Sequence, residues 1–217
     1  MKKVYTIFIL SLITLLAACT PEQENPAEFM YEHLEEAVSI ERAVGEKQDP
    51  LTEAEDNELE WYKEMAETSD IEEIESLANQ AIESAESRRD IMIEEKEIID
   101  EAFEEFQLAI PFVEDIEEQE VIESANSMIQ TMEDRYDTYQ QLYDQYMETI
   151  DMDIELYTMY FQEDLTTEQL QEQHDIVNEA YQKINELNRE FNDYTTAFND
   201  SKRSFYEISG LNVVFND

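Results

Sequence analysis

Residues Ser69–Pro111 read SDIEEIESLANQAIESAESRRDIMIEEKEIIDEAFEEFQLAIP, and this stretch decides the fold. Ser69 followed by Glu72 reads as a helix start, a small hydroxyl cap with an acid three residues on. From there Ile74, Ala78, Ala81, Ala85, Arg88, Met92, Glu95, Ile99, Ala102, Phe106 and Ala109 recur at alternating steps of four and three. That rhythm keeps one face of a helix turned to a neighbour for ten turns. Alanines early in the stripe permit close approach of another helix. Ile110-Pro111 predicts a stop or kink, because proline disfavours helical geometry in the residue before it.

The same rhythm extends in both directions. Downstream, Ile122, Ala125, Ile129, Met132, Tyr136, Tyr139, Tyr143, Tyr146, Ile150, Tyr157 and Tyr160 predict a helix from about Glu114 to Gln162, on the order of 70 Å if unbroken. Asp151 and Asp153 interrupt its apolar side, so the helix is either continuous there or bent. Leu165-Thr166-Thr167-Glu168-Gln169-Leu170 combines a capping box (Thr166, Gln169) with a hydrophobic staple (Leu165, Leu170). A last helix then carries Leu170, Val177, Ala180, Ile184, Leu187, Phe191, Tyr194, Phe198 and Phe205, and ends at Gly210.

Upstream, Asn25-Pro26-Ala27-Glu28 predicts a helix start. That first helix bears Phe29, Met30, Leu34, Ala37, Val38 and Val44. Gly45 to Leu51, with Asp49-Pro50, reads as a connection, and Thr52 with Glu55 as the cap of a short helix holding Leu59, Trp61, Tyr62 and Met65. Short links between rods make consecutive helices antiparallel. The expectation is an all-α fold: an elongated, coiled-coil-like antiparallel bundle of three long helices, with two shorter N-terminal helices packed on it.

The first residues are of another kind. Lys2 and Lys3 precede an apolar run, Val4 to Leu16, of about 20 Å as a helix, short for a membrane span. Leu16-Ala17-Ala18-Cys19 follows. Basic front, apolar middle and small residues before the cut are the layout of a secretory signal. The cysteine makes it a lipobox, with cleavage expected between Ala18 and Cys19 and with Cys19 carrying S-diacylglyceryl and N-palmitoyl groups. Residues 1–18 are thus read as signal peptide, 19–25 as lipidated tether and 26–217 as the helical domain. Cys19 is the sole cysteine, so no intrachain disulfide contributes. Acyl chains contribute about 0.8 kcal/mol per buried methylene, so a doubly acylated terminus holds a protein on the extracytoplasmic face of the membrane.

The chain has 13 basic and 56 acidic residues, a formal charge of −43. Without Lys2 and Lys3 it would be −45. Such a field repels nucleic acid and anionic headgroups. It suits a solvated shell over a regular core, and a medium salty enough to screen it. Diffuse, weak uptake of divalent cations is expected, but no calcium-loop pattern is present. Only two glycines occur, which argues against phosphate-cradling loops and against sheets rich in tight turns.

Enzyme signatures are absent from the pattern. Met30 precedes His33 by three residues and Gln171 precedes His174 by three, so neither histidine makes the Glu-x-x-His of a di-metal bundle. The histidines read as flank residues. With 56 acids, adjacent carboxylates carry no specificity. No catalytic residue, metal site or cofactor is expected. The tyrosine row reads as a half-buried seam. Arg88, Arg89 and Lys96, among acids, read as ion pairs along or between helices, worth a few tenths of a kcal/mol each when exposed. Trp61 and Tyr62, on a short helix, are the expected contacts for a glycan or a partner.

Several segments carry a family resemblance: Gln48-x-Pro50-Leu51; Ala85-x-x-Arg88-Arg89 with Glu95-Lys96-Glu97; Arg135-Tyr136-x-x-Tyr139-x-x-Leu142-Tyr143; and Asn188-x-x-Phe191-Asn192-x-Tyr194 through Lys202-x-x-Phe205-Tyr206 to Gly210-Leu211. In this order behind a lipobox, they resemble the YkyA-type lipoproteins of Gram-positive bacteria, described as binding cell wall. The resemblance covers most of the mature chain. It implies a long helical bundle tethered outside the membrane, with peptidoglycan or an associated wall polymer as partner. The alternative is a scaffold or regulator that binds envelope proteins such as wall enzymes. This chain departs from the family in its acidity, which opposes a simple ionic grip on anionic wall polymers.

Overall fold

The computed structural model describes residues 25–162 and 164–213; the predicted signal, cleavage site and Cys19 lie outside them. Five α-helices follow one another: α1 (Pro26–Glu41), α2 (Gly45–Glu67), α3 (Ile71–Gln107), α4 (Gln119–Met159) and α5 (Thr167–Ile208). Two 3-10 segments join them, Arg42–Val44 between α1 and α2 and Ile110–Asp115 between α3 and α4. Among the described residues there is no strand. The three long antiparallel helices and two shorter N-terminal ones match the periodicity.

The helix ends show how local chemistry sets boundaries. Asn25 accepts the Ala27 N–H at 3.1 Å, with Pro26 in the first turn, as the sequence predicts. Thr166 and Gln169 form the expected capping box: the Gln169 N–H donates to Thr166 Oγ1 at 3.2 Å and the Thr166 N–H to Gln169 Oε1 at 3.0 Å. Gly210, at φ 71°, closes α5 while the Leu211 N–H reaches back to the Tyr206 carbonyl at 3.0 Å. The cap of α3 is Asp70 rather than Ser69; its carboxylate accepts from the N–H groups of Glu72 (3.0 Å) and Glu73 (3.5 Å). An anionic cap also complements the positive end of the helix dipole, which a serine does not.

Two expectations need correction. Gly45–Leu51 is not a connection: α2 starts at Gly45, Pro50 lies inside it, and the predicted Thr52 cap is mid-helix. Gly45 has helical φ (−56°). Proline forgoes one helical hydrogen bond, but Lys47 pairs with Glu94 and Gln48 donates to Glu95 at 2.8 Å, holding this segment along α3. Tertiary contacts therefore override weak local propensity. In consequence α1 and α2 run on as one rod beside α3, in register from His33–Glu105 to Glu58–Arg88. Second, α4 starts at Gln119 rather than near Glu114 because Ile110–Asp115 is 3-10; at Asp151 and Asp153, where the sequence left both readings open, it is continuous.

Consecutive rods pair antiparallel, which leaves α3 and α5, and likewise the α1–α2 rod and α4, parallel to each other. Across α3 and α4, Tyr136 donates to Asp100 (2.9 Å) and Tyr139 to Glu95 (3.2 Å). Across α4 and α5, Arg135 donates to Thr195 (2.9 Å) and Tyr181 to Asp153 (2.7 Å). At about 1.5 Å per residue, α5 is roughly 63 Å long. Two apolar cores lie along this length. The first, at the end where α1 begins and α5 finishes (the near end), gathers Met30, Leu34, Phe106, Ala125, Met128 and Phe205. The second, toward the far end, gathers Met65, Ala78, Ala81, Ala85, Ile150, Tyr157 and Ile184.

Candidate functional site

The most distinctive chemistry lies inside the bundle. Arg88 is fully buried at 0% exposure, which is costly for a guanidinium unless every donor is met. Here five N–H groups face five oxygens. Nε donates to Glu58 Oε1 at 2.9 Å and Nη2 to Glu58 Oε2 at 2.8 Å, a two-pronged grip from α2. Nη2 also donates to Asp153 of α4 at 2.6 Å, and Nη1 to the hydroxyls of Tyr181 (3.0 Å) and Tyr146 (3.4 Å). Tyr157 donates on to Glu58 at 3.3 Å, and Tyr146 to Glu55. One side chain of α3 thus ties together α2, α4 and α5.

The charges respond to this setting. Burial pushes the Glu58 and Asp153 carboxyls up, against the pull of Arg88. Burial opposes the charge of Arg88, but the surrounding tyrosine oxygens and carboxylates outweigh it and hold the guanidinium firmly protonated. Arg88 lies in the inward stripe and makes pairs between helices, as the sequence predicts; what differs is that these pairs are buried rather than exposed. Arg89 and Lys96 do behave as read: Arg89 meets Glu86 (3.0 Å) and Asp151 (2.7 Å), and Lys96 meets Asp100 (2.6 Å). The partners of Arg88 are not legible in the sequence, where Asp153 reads as an interruption of an apolar stripe. That interruption was the available signal.

Two more polar layers lie toward the near end. Arg135 pairs with Glu41 of α1, donates to Thr195 of α5, and stacks over Phe191 with 4.6 Å to the ring centroid. Glu95, also buried, accepts from Tyr139 and from Gln48. Burial raises the Glu95 carboxyl above its ordinary 4.5, opposed by those two hydrogen bonds. A raised carboxyl binds its proton more tightly folded than unfolded, so stability falls as pH climbs through the folded value. Glu58, Asp153 and Glu95 all act in that sense. Asp100 acts oppositely: burial works against its charge, but hydrogen bonds from Lys96 and Tyr136 hold it below 3.8, and its contribution is lost only in stronger acid. The protein is accordingly expected to melt higher at pH 5 than at pH 7. Glu95→Gln is expected to raise the pH 7 melting temperature and flatten that slope; a lower melting temperature at pH 7, with the slope intact, would refute the assignment.

Beside the Arg88 layer is a cleft of about 350 Å³, between α2 and the α4–α5 pair. Tyr62 and His174 stack at its mouth with 5.7 Å between ring centroids, and the acids Glu55, Asp56, Glu58 and Asp153 line it. Trp61, half-buried, sits in a different place: an open groove of about 490 Å³ between α2 and α3. Successive residues on a helix point about 100° apart, so the predicted pair Trp61–Tyr62 does not form one surface. His33, on the other flank, pairs with Glu105 at 2.6 Å and stacks on Phe112. The tyrosine seam is as read: Tyr139, Tyr146 and Tyr157 are buried, and Tyr136, Tyr143 and Tyr160 half-buried. Among the described residues no helix is long and apolar enough to cross a membrane, and no group of three or more potential metal ligands converges.

Antiparallel rods of this length, acidic outside and cross-tied by buried ion pairs, define an extended all-α bundle. The chain belongs to the YkyA family, described as "Putative cell-wall binding lipoprotein", whose family model matches residues 25–208. It is similar to the "Uncharacterized lipoprotein YkyA" of Bacillus subtilis (strain 168), 28% identical over 170 residues, 77% of this chain and 75% of that protein. In fold it resembles a crystal structure of a conserved protein of unknown function from Staphylococcus aureus. The TM-score is 0.73 at 11% identity, over 82% of this chain and 91% of the other.

Proposed function

We propose that this protein is a non-catalytic envelope lipoprotein, cleaved after Ala18, held to the outer face of the membrane by acylated Cys19, and reaching outward to bind cell wall. The observation that supports it best is the placement of the chain's start. Asn25, six residues beyond Cys19, opens α1 at the near end of the rod. An anchor there puts the far end about 60 Å from the bilayer, one helix length away. The lipoprotein family membership fits this placement. An acidic exterior is repelled by anionic headgroups and by anionic wall polymers alike. Adhesion then falls to aromatic–sugar contact or to bridging divalent cations.

The mature protein with Cys19→Ser is expected to pellet with purified wall sacculi. A chelator distinguishes the two modes: it abolishes cation bridging and leaves sugar contact intact. Absence from the pellet with and without chelator would overturn wall binding. One observation favours a second reading, a scaffold for envelope proteins. Leu59, Ile71, Phe161 and Ile176 are exposed apolar residues toward the far end, Ile71 at 71%. Crosslinking in membranes would then yield a discrete protein partner.

A further inference from the structure

We propose that the groove beside Trp61 is a binding site for an uncharged, N-acylated glycan; the proposal rests on the wall-binding reading and names its ligand and its site. Two stripes of hydrogen-bonding side chains face each other across the groove. Glu53, Asn57 and Trp61 recur every four residues on α2, and Gln80, Glu83 and Ser87 at steps of three and four on α3. The stripes run for about 12 Å on α2 and about 10 Å on α3, the reach of a short oligosaccharide rather than a single sugar.

Three features converge on this chemistry. Trp61 is half-buried, packed in part against the far-end core, and lines the groove with the remainder; an indole offers a flat apolar face to the C–H side of a pyranose ring and an N–H donor. Among the described residues, the Trp61 N–H and the side chains of Glu53, Asn57, Glu83 and Ser87 make no hydrogen bond within the chain and would exchange only water for a ligand, while the Gln80 amide also donates to the Ser76 carbonyl at 3.2 Å. Carboxylates accept from sugar hydroxyls, while the Asn57 and Gln80 amides both donate and accept, matching an acetamido group.

Charge sets the specificity. No Lys, Arg or His lines the groove, and two glutamates do. A phosphate-bearing polymer would meet two negative charges and no counter-ion, whereas a neutral glycan is indifferent to them. The site therefore selects the sugar chains of the wall over its phosphate polymers. Tyr62 lies outside this site, against His174.

The protein's single tryptophan makes the test direct, because its fluorescence reports on this groove alone. The full mature protein in detergent is titrated with tri-N-acetylchitotriose, and separately with polyglycerol phosphate. The expected result is a saturable change in Trp61 emission with the sugar and none with the phosphate polymer. Asn57→Ala and Gln80→Ala, whose side chains lie outside the core, are each expected to weaken sugar binding by about tenfold with unchanged circular dichroism. No saturable response to the sugar, unaltered binding in both variants, or an equal response to the phosphate polymer would each overturn the proposal. Pelleting with sacculi without a sugar response would overturn this site and leave wall binding standing; failure of both would overturn both.

Discussion

Arg88→Ala is expected to cost the fold about 3–5 kcal/mol, among the largest losses available to one substitution in this protein. The loss does not come from the arginine's own contacts alone. Its removal leaves Glu58 (3% exposed) and Asp153 (2%) buried without a counter-charge, and strips Tyr181 and Tyr146 of a donor. Urea unfolding followed by circular dichroism measures it. Arg88→Lys is expected to recover little, since an ammonium cannot grip Glu58 with two parallel bonds while reaching Asp153. Combining Arg88→Met with Glu58→Gln and Asp153→Asn is expected to recover much of the loss, because no charge then remains buried. A loss below about 1 kcal/mol for Arg88→Ala would mean that water reaches these carboxylates and screens them.

Phe106→Ala is the second large effect, also about 3–5 kcal/mol. Phe106 is 1% exposed in the last turn of α3 and meets Phe198 of α5 edge-to-face, with 5.9 Å between ring centroids. Truncation opens a cavity in the near-end core that helices on all sides are too rigid to fill. Phe103 provides the control. It is half-buried and stacks on Tyr136, so Phe103→Ala is expected to cost distinctly less. Thermal melts of the two variants test the ranking, and equal losses would contradict the placement of Phe106 at the centre of that core.

Much of this architecture is legible in the sequence. From Ala78 to Ala109 every stripe residue named for α3 is buried, the two charged ones included. α4 is read less completely. Tyr139, Tyr146 and Tyr157 are found, but Val121, Met128, Leu142 and Leu156 are missed. A single stripe describes a helix with one buried face, whereas α4 packs against α3 and α5 and also meets Glu41 of α1. Gly45 and Pro50 are misread for the opposite reason: their local preferences are real, and the register along α3 overrules them. The Arg88 layer has charges that sequence can list but not join. Its partners lie 30, 58, 65 and 93 residues away, and only the assembled rods decide which carboxylate arrives. Trp61 is visible as a candidate from composition, whereas the stripe opposite it, from Gln80 to Ser87, reads as ordinary solvated helix.

The pairing of each rod with its successor has a kinetic consequence. α2 meets α3, α3 meets α4 and α4 meets α5 across short turns, so each pairing closes a small loop, and such local contacts form early. The contact between α1 and α5, where Glu35 meets Lys202 and Tyr206, joins residues 167 and 171 apart. It becomes accessible only once the hairpins between them have brought those ends together. An unfolded chain would assemble hairpin by hairpin and complete its near-end core last, when α5 closes on the α1 that already lies along α3.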